Sequence, residues 1–254
     1  MTMLEILLPV LIILIGLSLL KCPIYISILC SAIYLQIFVN HMSLTNVFTG
    51  FFEAMTKNAL LAVPFFMVAG SLIAASSLGT RLINVCIETL KSIRGGLPIA
   101  CVIANAIFGA ISGSGPAATA TFGKIVHKPL SERHGESMSL GIITSSACLS
   151  TIIPPSITMI IYGVATETSI TKLFLAGILP GILIVVIVSV YLIIMCKPRP
   201  GVEKEKFSAR AFGKALWKGL PVLVLPVLVL GSVYTGICTP TESGALAAAY
   251  SFIV

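Results

Sequence analysis

Long apolar segments alternate with short polar stretches along the chain, and this pattern predicts membrane-spanning helices. A helix of about 20 apolar residues is long enough to cross the roughly 30 Å of hydrocarbon in a bilayer. The apolar segments lie at residues 4–20, 24–39, 58–77, 97–123, 138–162, 173–196 and 219–238, and an eighth begins near Gly244 and is cut off at Val254. We therefore predict an all-α polytopic membrane protein with about six to seven transmembrane helices.

The composition agrees with this class of protein. Of the 254 residues, 57% are hydrophobic and only 10% are charged, whereas a soluble domain usually carries about 25% charged residues. The net charge of +7 does not indicate a nucleic-acid partner, because the basic residues lie between the apolar segments, where they indicate topology. The first segment has no basic stretch before it and no small-residue cleavage site after it, so we interpret it as a retained span.

The polar stretches fix the predicted orientation of the segments. Residues 197–218 hold seven basic side chains against two glutamates, so the positive-inside rule places this linker in the cytoplasm. Counting backwards, segment 173–196 runs inward and segment 138–162 runs outward, which also places the basic stretch 124–137 in the cytoplasm. The same count puts the N-terminus outside.

One apolar segment, 97–123, has a basic stretch on either side. The flanking basic residues are Arg81, Lys91 and Arg94 before it and Lys124, Lys128 and Arg133 after it. If both flanks are cytoplasmic, the segment cannot cross the membrane and must return to the face from which it entered. We therefore predict a re-entrant helical hairpin, with its tip in the sequence GAISGSGPAATATFG at 109–123.

The predicted tip has the composition of a binding site. Non-helical backbone at membrane depth persists only where it is buried in protein or lines a water-filled cavity. Hydroxyl and unwound carbonyl oxygens suit Na⁺, and the start of the second half-helix suits an anionic group. The alternative is close helix packing through Gly109 and Gly113. The candidate residues are Ser112, Gly113, Ser114, Gly115 and Pro116, with Asn105 and Thr119 as further candidates.

A second apolar segment is interrupted near its middle. Two prolines remove two backbone donors from segment 138–162 and free carbonyl groups about one turn earlier. Broken helices that meet near the membrane midplane are typical of secondary transporters, and the alternative is a kinked helix. We predict Na⁺ ligands at Ser112, Ser114 and Ser145. The candidate residues of this segment are Ser145, Ser146, Pro154, Pro155 and Ser156.

The stretch TGICTPTESGALAAAY at 235–250 predicts a helix that begins with a capping box. Thr239 is the predicted N-cap, Pro240 the first helical residue, and Glu242 the acidic partner three residues after the cap. In the stretch LLKCPIYISIL, as in TGICTPTES, a cysteine and a proline follow one apolar span and precede the next. This likeness predicts an inverted repeat, with 1–218 as the first copy and 219–254 as the start of the second.

The reactive residue types argue against an enzyme. The seven cysteines have no CxxC spacing, so we interpret them as small packing residues, with disulfides or metal ligation as alternatives. The chain has no aspartate, its glutamates lie outside the span centres, and His41, His127 and His134 lie in predicted loops. These residues supply no intramembrane dyad, triad or proton relay. A channel or a non-transporting scaffold is the alternative to a transporter.

Four motifs resemble the large membrane subunit, or permease, of tripartite ATP-independent periplasmic (TRAP) transporters of the DctM type. They are GGLPIACVIANAIFGAISGSGPA (95–117), SSACLSTIIPPSITMIIYGVATETSI (145–170), LFLAGILPGIL (173–183) and GICTPTESGALAAAY (236–250). The resemblance extends over nearly the whole chain and keeps the order of the motifs. By position it puts the hairpin tip at 112–116 and the unwound crossing helix at 145–156.

The resemblance implies an elevator-type secondary transporter that imports an organic anion, typically a carboxylate, together with Na⁺ and without another cofactor. It implies a periplasmic substrate-binding protein and a small four-helix membrane subunit as partners, and the bacterial inner membrane as the location. The family pattern continues with a second hairpin and a second broken helix, so we expect this chain to be truncated. Lys124 stands in the second arm of the hairpin, where a small or apolar residue is expected.

Overall fold

The computed structural model describes residues 3–196 and 207–254, and every regular element in these two ranges is a helix. This confirms the predicted class, an all-α membrane protein. Part of the predicted basic linker lies outside the described residues, namely Lys197, Arg199, Glu203, Lys204, Glu205 and Lys206.

The chain forms two compact units, and the first ends at Lys57. Its helices α1 (Met3–Leu19) and α2 (Ile24–Tyr34) pack against each other, and α2 continues as a π-helix over Leu35–Val39. A third helix, α3 (Leu44–Met55), is amphipathic, with apolar residues recurring every three or four positions. The apolar pattern contained no span here, so α3 is an addition to the predicted elements.

The second unit begins at Asn58 with a 3₁₀ turn and contains nine α-helices among the described residues. They are α4 (Ala62–Ala75), α5 (Leu78–Leu90), α6 (Gly96–Ser112), α7 (Gly115–His134), α8 (Glu136–Ala147), α9 (Ile157–Ala165), α10 (Ile170–Met195), α11 (Ala209–Tyr234) and α12 (Pro240–Ile253). Four phenylalanines from four different helices are fully buried in its core: Phe66, Phe108, Phe122 and Phe174.

Three described helices are long and apolar enough to cross a membrane: Asn58–Ala75, Ile170–Met195 and Ala209–Tyr234. Shorter apolar helices cover Ile6–Leu19, Ile24–Val39 and Gly96–Ser112. A helix of 17 residues is only about 25 Å long, less than the roughly 30 Å of a bilayer core. The predicted number of six to seven transmembrane helices therefore stays a prediction.

Helices α6 and α7 meet at a break of two residues, Gly113 and Ser114. Helix α7 begins at Gly115 with Pro116 in its first turn, where the missing N–H of proline has no cost. Its end was predicted wrongly, because α7 continues past residue 123 to His134. His127 and His134 are therefore helical rather than in a loop. The polar residues of this stretch include good helix formers, and the Ser139 hydroxyl of α8 donates to the His127 carbonyl at 3.1 Å.

The predicted interruption of segment 138–162 is present. Helix α8 ends at Ala147 and is followed by a 3₁₀ turn over Cys148–Thr151. Residues 152–156 are not helical, and helix α9 begins at Ile157. Pro154 and Pro155 lie in this unwound segment, where neither is required to donate a backbone hydrogen bond.

Helix α12 begins with the predicted capping box. The Glu242 N–H donates to the Thr239 hydroxyl at 3.3 Å, and the Thr239 N–H donates to the Glu242 carboxylate at 2.7 Å. The Thr241 hydroxyl donates to the Asn58 carbonyl at 3.0 Å, so the first turn of α12 lies beside the start of the second unit. Further along, Gly244 packs against Phe65. Helices α4 and α12 are therefore neighbours that run in the same direction.

All seven cysteines are free thiols. Cys86, Cys101 and Cys196 are buried in the core of the second unit, which confirms the packing interpretation for these three. Cys22 and Cys238 are half-buried, and Cys30 and Cys148 are exposed.

Candidate functional site

The hairpin tip packs directly on the unwound segment 152–156. Gly113 has a left-handed backbone with a φ of +60°, a conformation that favours glycine. A methyl group on Gly113 would come within 2.8 Å of the Ile157 nitrogen and 3.2 Å of the Pro155 carbonyl oxygen. The two interruptions that the sequence predicted are thus in contact with each other.

Close contacts continue on both sides of the tip. A methyl group on Gly109 would come within 3.0 Å of the Ser150 hydroxyl oxygen, and one on Gly115 within 3.3 Å of the Ala147 carbonyl oxygen. The backbone of Ser112 lies against Gly70 in the middle of α4. Close packing through Gly109 and Gly113 was the alternative interpretation of the tip. The packing is present, and it brings polar oxygens of two broken elements together.

The hydroxyl groups of the tip are turned toward its own backbone. Ser112 is buried, with 1% of its surface exposed, and its oxygen accepts a long hydrogen bond of 3.4 Å from the Ser114 N–H. The Ser114 oxygen accepts from the Ala117 N–H at 3.5 Å and so caps α7. A hydroxyl oxygen has two lone pairs, so each of these oxygens keeps acceptor capacity. Gly115 is buried and Pro116 is exposed.

The unwound segment contributes buried oxygens from the opposite side. Ser156 is fully buried, and its hydroxyl donates to the Thr151 carbonyl at 2.7 Å. Pro154 and Pro155 are also buried. Ser150 is fully buried beside Gly109, and its hydroxyl oxygen has no hydrogen-bond partner.

A second polar contact ties the first arm of the hairpin to α8. The Asn105 amide nitrogen donates to the Ser146 hydroxyl at 2.8 Å and to the Cys101 carbonyl at 3.0 Å. Asn105 and Ser146 are both buried. The Asn105 amide oxygen has no hydrogen-bond partner. Asn105 lies one helical turn before Gly109, the residue that contacts Ser150.

Two candidates lie apart from this contact. Ser145 is exposed, donates to the Gly141 carbonyl at 2.6 Å and lines a different cavity, beside Val102 and Tyr191. Thr119 donates to the Gly115 carbonyl at 3.1 Å within α7. The structure therefore brings the tip, the unwound segment, Ser146 and Asn105 together, but it does not bring Ser145 to the tip.

The contact between tip and unwound segment is rich in oxygen and contains no charged side chain among the residues named above. Hard oxygen donors of this kind suit Na⁺ rather than a transition metal. No group of three or more His, Cys, Asp or Glu side chains that could hold a metal ion occurs in the part of the chain that the structure describes. Sequence reasoning did not select Ser150 as a site residue, although it belongs to the same hydroxyl-rich stretch.

Comparison with known proteins gives a family match over most of the chain. A model of the family described as "Tripartite ATP-independent periplasmic transporter, DctM component" matches residues 11–254. The C4-dicarboxylate TRAP transporter large permease protein DctM of Pseudomonas aeruginosa is 39% identical over 211 residues, which cover 80% of this chain and 48% of that protein. The protein of the same name from Vibrio cholerae is 35% identical over 249 residues, which cover 96% of this chain and 54% of that protein.

A third relative has a different name. The isethionate TRAP transporter permease protein DctMQ of Oleidesulfovibrio alaskensis is 36% identical over 206 residues, which cover 80% of this chain and 32% of that protein. The chain spans about half the length of the first curated relatives it matches.

Proposed function

This chain belongs to the DctM family of tripartite ATP-independent periplasmic transporters, and we propose that it forms part of a secondary transporter that imports an organic anion with Na⁺. The family consists of transporter components, which confirms the prediction that the chain is not an enzyme. Relatives are named for C4-dicarboxylates, isethionate and ectoine. The C4-dicarboxylate names favour a carboxylate as the transported group.

One observation carries this proposal, namely the contact between the hairpin tip and the unwound segment 152–156. Gly113 lies against Pro155 and Ile157, and buried hydroxyl groups surround the contact. Irregular backbone of this kind is stable at membrane depth where it is covered by protein or lines a cavity. In secondary transporters such interruptions bind the ion and the substrate.

The long helix α10 provides a measure of depth for the interruption. A methyl group on Gly177 would come within 2.8 Å of the Ile152 carbonyl oxygen, and one on Gly181 within 2.8 Å of the Ile153 side chain. These glycines lie roughly 10 to 17 Å from the start of α10, given a rise of 1.5 Å per residue. The helix is 26 residues long, so the unwound segment lies well inside its length. This position supports a site near the membrane midplane.

Contacts along both arms of the hairpin support the re-entrant path. Gly95, just before α6, lies beside the Leu192 carbonyl near the C-terminal end of α10. Thr121 of α7 lies beside Gly79, which follows the C-terminal end of α4. The charge count predicts that α4 and α10 both end in the cytoplasm. Both arms of the hairpin therefore point toward the same predicted face.

We assign the proposed ion ligands to the tip and the unwound segment. Ser112, Ser114 and the carbonyl groups near Gly113 provide one side, and the carbonyl of Pro155 and the Ser156 hydroxyl provide the other. The N-terminal end of α7 faces the anionic group of the substrate, because the first N–H groups of a helix carry a partial positive charge. Ser145 belongs to the predicted ligand set, but its exposed position makes it the weakest member.

The rest of the proposal follows from the resemblance. The chain moves its substrate by an elevator mechanism in the bacterial inner membrane, with its N-terminus outside. A periplasmic substrate-binding protein delivers the anion, and a small four-helix membrane subunit completes the scaffold. Residues 1–218 form the first inverted repeat, and 219–254 begin the second.

Uptake of a radiolabelled carboxylate tests the proposal. The intact transporter is reconstituted in proteoliposomes with its binding protein and small subunit, and initial rates are measured against Na⁺ concentration. We expect Ser112→Ala to raise the Na⁺ concentration for half-maximal uptake about tenfold, because one oxygen ligand is lost. Ser131→Ala, at a half-buried serine of α7 whose hydroxyl donates to the Lys128 carbonyl of the same helix, is the matched control and should leave the Na⁺ dependence unchanged.

Three results would contradict the proposal. They are uptake that does not depend on Na⁺, uptake that does not require the binding protein, and a Ser112→Ala protein with unchanged Na⁺ dependence. Ser145→Ala tests the remaining predicted ligand, and its distance from the tip predicts a smaller effect than that of Ser112→Ala.

A further inference from the structure

Lys124 lies at a cavity that the site described above does not include. The cavity has a volume of about 390 Å³ and is an open groove between the end of α4, the first turn of α5 and the second arm of the hairpin, α7. Lys124 and Thr80 are both exposed at its surface. Four hydroxyl side chains line it together with Lys124: Ser71, Ser76, Thr80 and Thr121. Its volume falls in the range of about 300–1,000 Å³ that is usual for small-molecule sites.

The charge of the lining favours an anion. Lys124 contributes an ammonium group with three donors and no acceptor, and none of the described residues that line the cavity is acidic. A cation such as Na⁺ would be repelled by this lysine. This cavity therefore favours an anion, whereas the uncharged contact at the hairpin tip suits Na⁺.

The first turn of α5 adds backbone N–H donors at the same cavity, and one of them, the Leu78 N–H, already donates to the Ser76 hydroxyl at 3.2 Å. Gly79 and Thr80 lie in this turn, and Ser77, the N-cap residue, makes no side-chain hydrogen bond to it. The first N–H groups of a helix have no partner within the helix and attract anions. This positive end and the Lys124 side chain reach the cavity from different helices.

Thr80 is the hydroxyl that remains available. Ser71, Ser76 and Thr121 donate to the carbonyls of Met67, Ile73 and Ala117 at 2.7, 3.0 and 2.7 Å. Thr80 makes no hydrogen bond to any described residue, so its proton is free to donate to a ligand. Small alanine side chains form much of the remaining wall, which leaves room for a short organic chain.

We propose that this cavity binds a carboxylate group of a small organic anion through Lys124, Thr80 and the first turn of α5. The cavity begins at Ala117, one residue after Pro116, and extends along α7 to Ile125. It therefore continues from the hairpin tip toward the predicted cytoplasmic face. The inference rests on the proposed function, in which the cavity receives the transported anion after it leaves the tip.

Chemical labelling of Lys124 tests the proposal without measuring transport. The purified chain in phosphatidylcholine nanodiscs is treated with limiting sulfosuccinimidyl acetate, and mass spectrometry of its peptides gives the acetylation rate of each lysine. Succinate, a four-carbon dicarboxylate, is the probe, and uncharged succinamide is its matched control. Lys128 is the internal control, because it is exposed on the same helix but does not line the cavity.

We expect succinate to slow the acetylation of Lys124 by the factor 1 + [L]/Kd, which is about sixfold at five times Kd. The rate at Lys128 should not change, and succinamide should have no effect at either lysine. In Thr80→Val protein, the succinate concentration for half-protection should rise about tenfold, because a hydrogen bond to a charged group is lost. Thr144→Val, at an exposed threonine of α8, should leave it unchanged.

The proposal is overturned if succinate does not protect Lys124, if it protects Lys128 equally, or if succinamide protects as well as succinate. Protection by phosphatidylglycerol nanodiscs in the absence of succinate would assign the cavity to a lipid headgroup and would also overturn it. An unchanged half-protection concentration in Thr80→Val protein would contradict the assigned geometry. Failure of Na⁺-dependent uptake with intact protection would contradict the proposed function but not this binding site.

Discussion

At the residue scale, Gly113 determines whether the hairpin tip can lie on the unwound segment. We expect Gly113→Ala to destabilise the protein, because a left-handed backbone costs an ordinary residue about 1–2 kcal/mol and the new methyl group would press on the Ile157 nitrogen. The measurement is the temperature at which half of the purified protein remains monodisperse in size-exclusion chromatography.

Gly141→Ala is the matched control for this substitution. Gly141 lies in α8, its φ is not positive, and no atom lies within 4 Å of an added methyl group. Alanine there should raise stability by roughly 0.8–1.0 kcal/mol from helix propensity. Equal stabilities of the two variants would contradict the described geometry of the tip.

The hydrogen bond between Asn105 and Ser146 makes a separate prediction. A double-mutant cycle with Asn105→Ala and Ser146→Ala should give a coupling of about 1 kcal/mol in the free energy of unfolding, the range measured for polar contacts between membrane helices. A cycle that pairs Asn105→Ala with Ser131→Ala is the control and should be additive. A coupling near zero in the first cycle would show that the contact does not hold α6 against α8.

The residues of the tip and of the unwound segment could be predicted because their types are unusual inside apolar segments. Glycine, serine and proline cluster around Gly113, and proline and serine cluster at Pro154, within segments that are otherwise apolar. The side on which a serine lies could not be predicted in the same way. Ser145 and Ser146 are neighbours in sequence, yet Ser146 is buried against Asn105 and Ser145 is exposed.

At the element scale, the first turn of α12 provides a pH-dependent contribution to stability. Hydrogen bonds from the Thr239 N–H and then from its hydroxyl group hold the pKa of Glu242 below its ordinary value of 4.5. The ionised carboxylate therefore stabilises the folded protein above the unfolded-state pKa, and this contribution is lost as the pH falls through the lowered folded-state pKa.

We expect Glu242→Gln protein to melt at a lower temperature than the unsubstituted protein at pH 7, with the difference shrinking in acid below pH 4.5. Melting temperatures of both proteins, measured at several pH values from 7 to below 4.5, test this prediction. Glu132→Gln controls for the loss of one negative charge elsewhere on the surface. A difference that is constant with pH would contradict the role of the capping box.

The elements themselves could be predicted where a single pattern decides them. The apolar runs predicted α4, α10 and most of α11, and the capping motif predicted the start of α12. The pattern missed α3 because an amphipathic helix contributes no continuous apolar run. It ended α7 too early for a different reason, since the helix begins in an apolar sequence and continues in a polar one.

At the scale of the whole molecule, the charges between apolar segments predicted a hairpin, and contacts within the second unit support it. The parallel packing of α4 on α12 could not be predicted, because one sequence does not show which helices share a surface. The Lys124 cavity is similar, since α7 forms it together with α4 and α5, from which α6 separates it along the chain. Lys124 itself was visible only as an unexpected charge.

Cysteine accessibility decides whether α6 and α7 enter the membrane and return to the cytoplasmic face. Single cysteines replace Arg94, Lys128 and Lys172 in a cysteine-free background, and a membrane-impermeant maleimide is applied to spheroplasts and to inside-out vesicles. We expect positions 94 and 128 to label only in inside-out vesicles, and position 172, the external reference, only in spheroplasts. Labelling of positions 94 and 128 from opposite faces would show that α6 and α7 cross the membrane and would exclude a re-entrant hairpin.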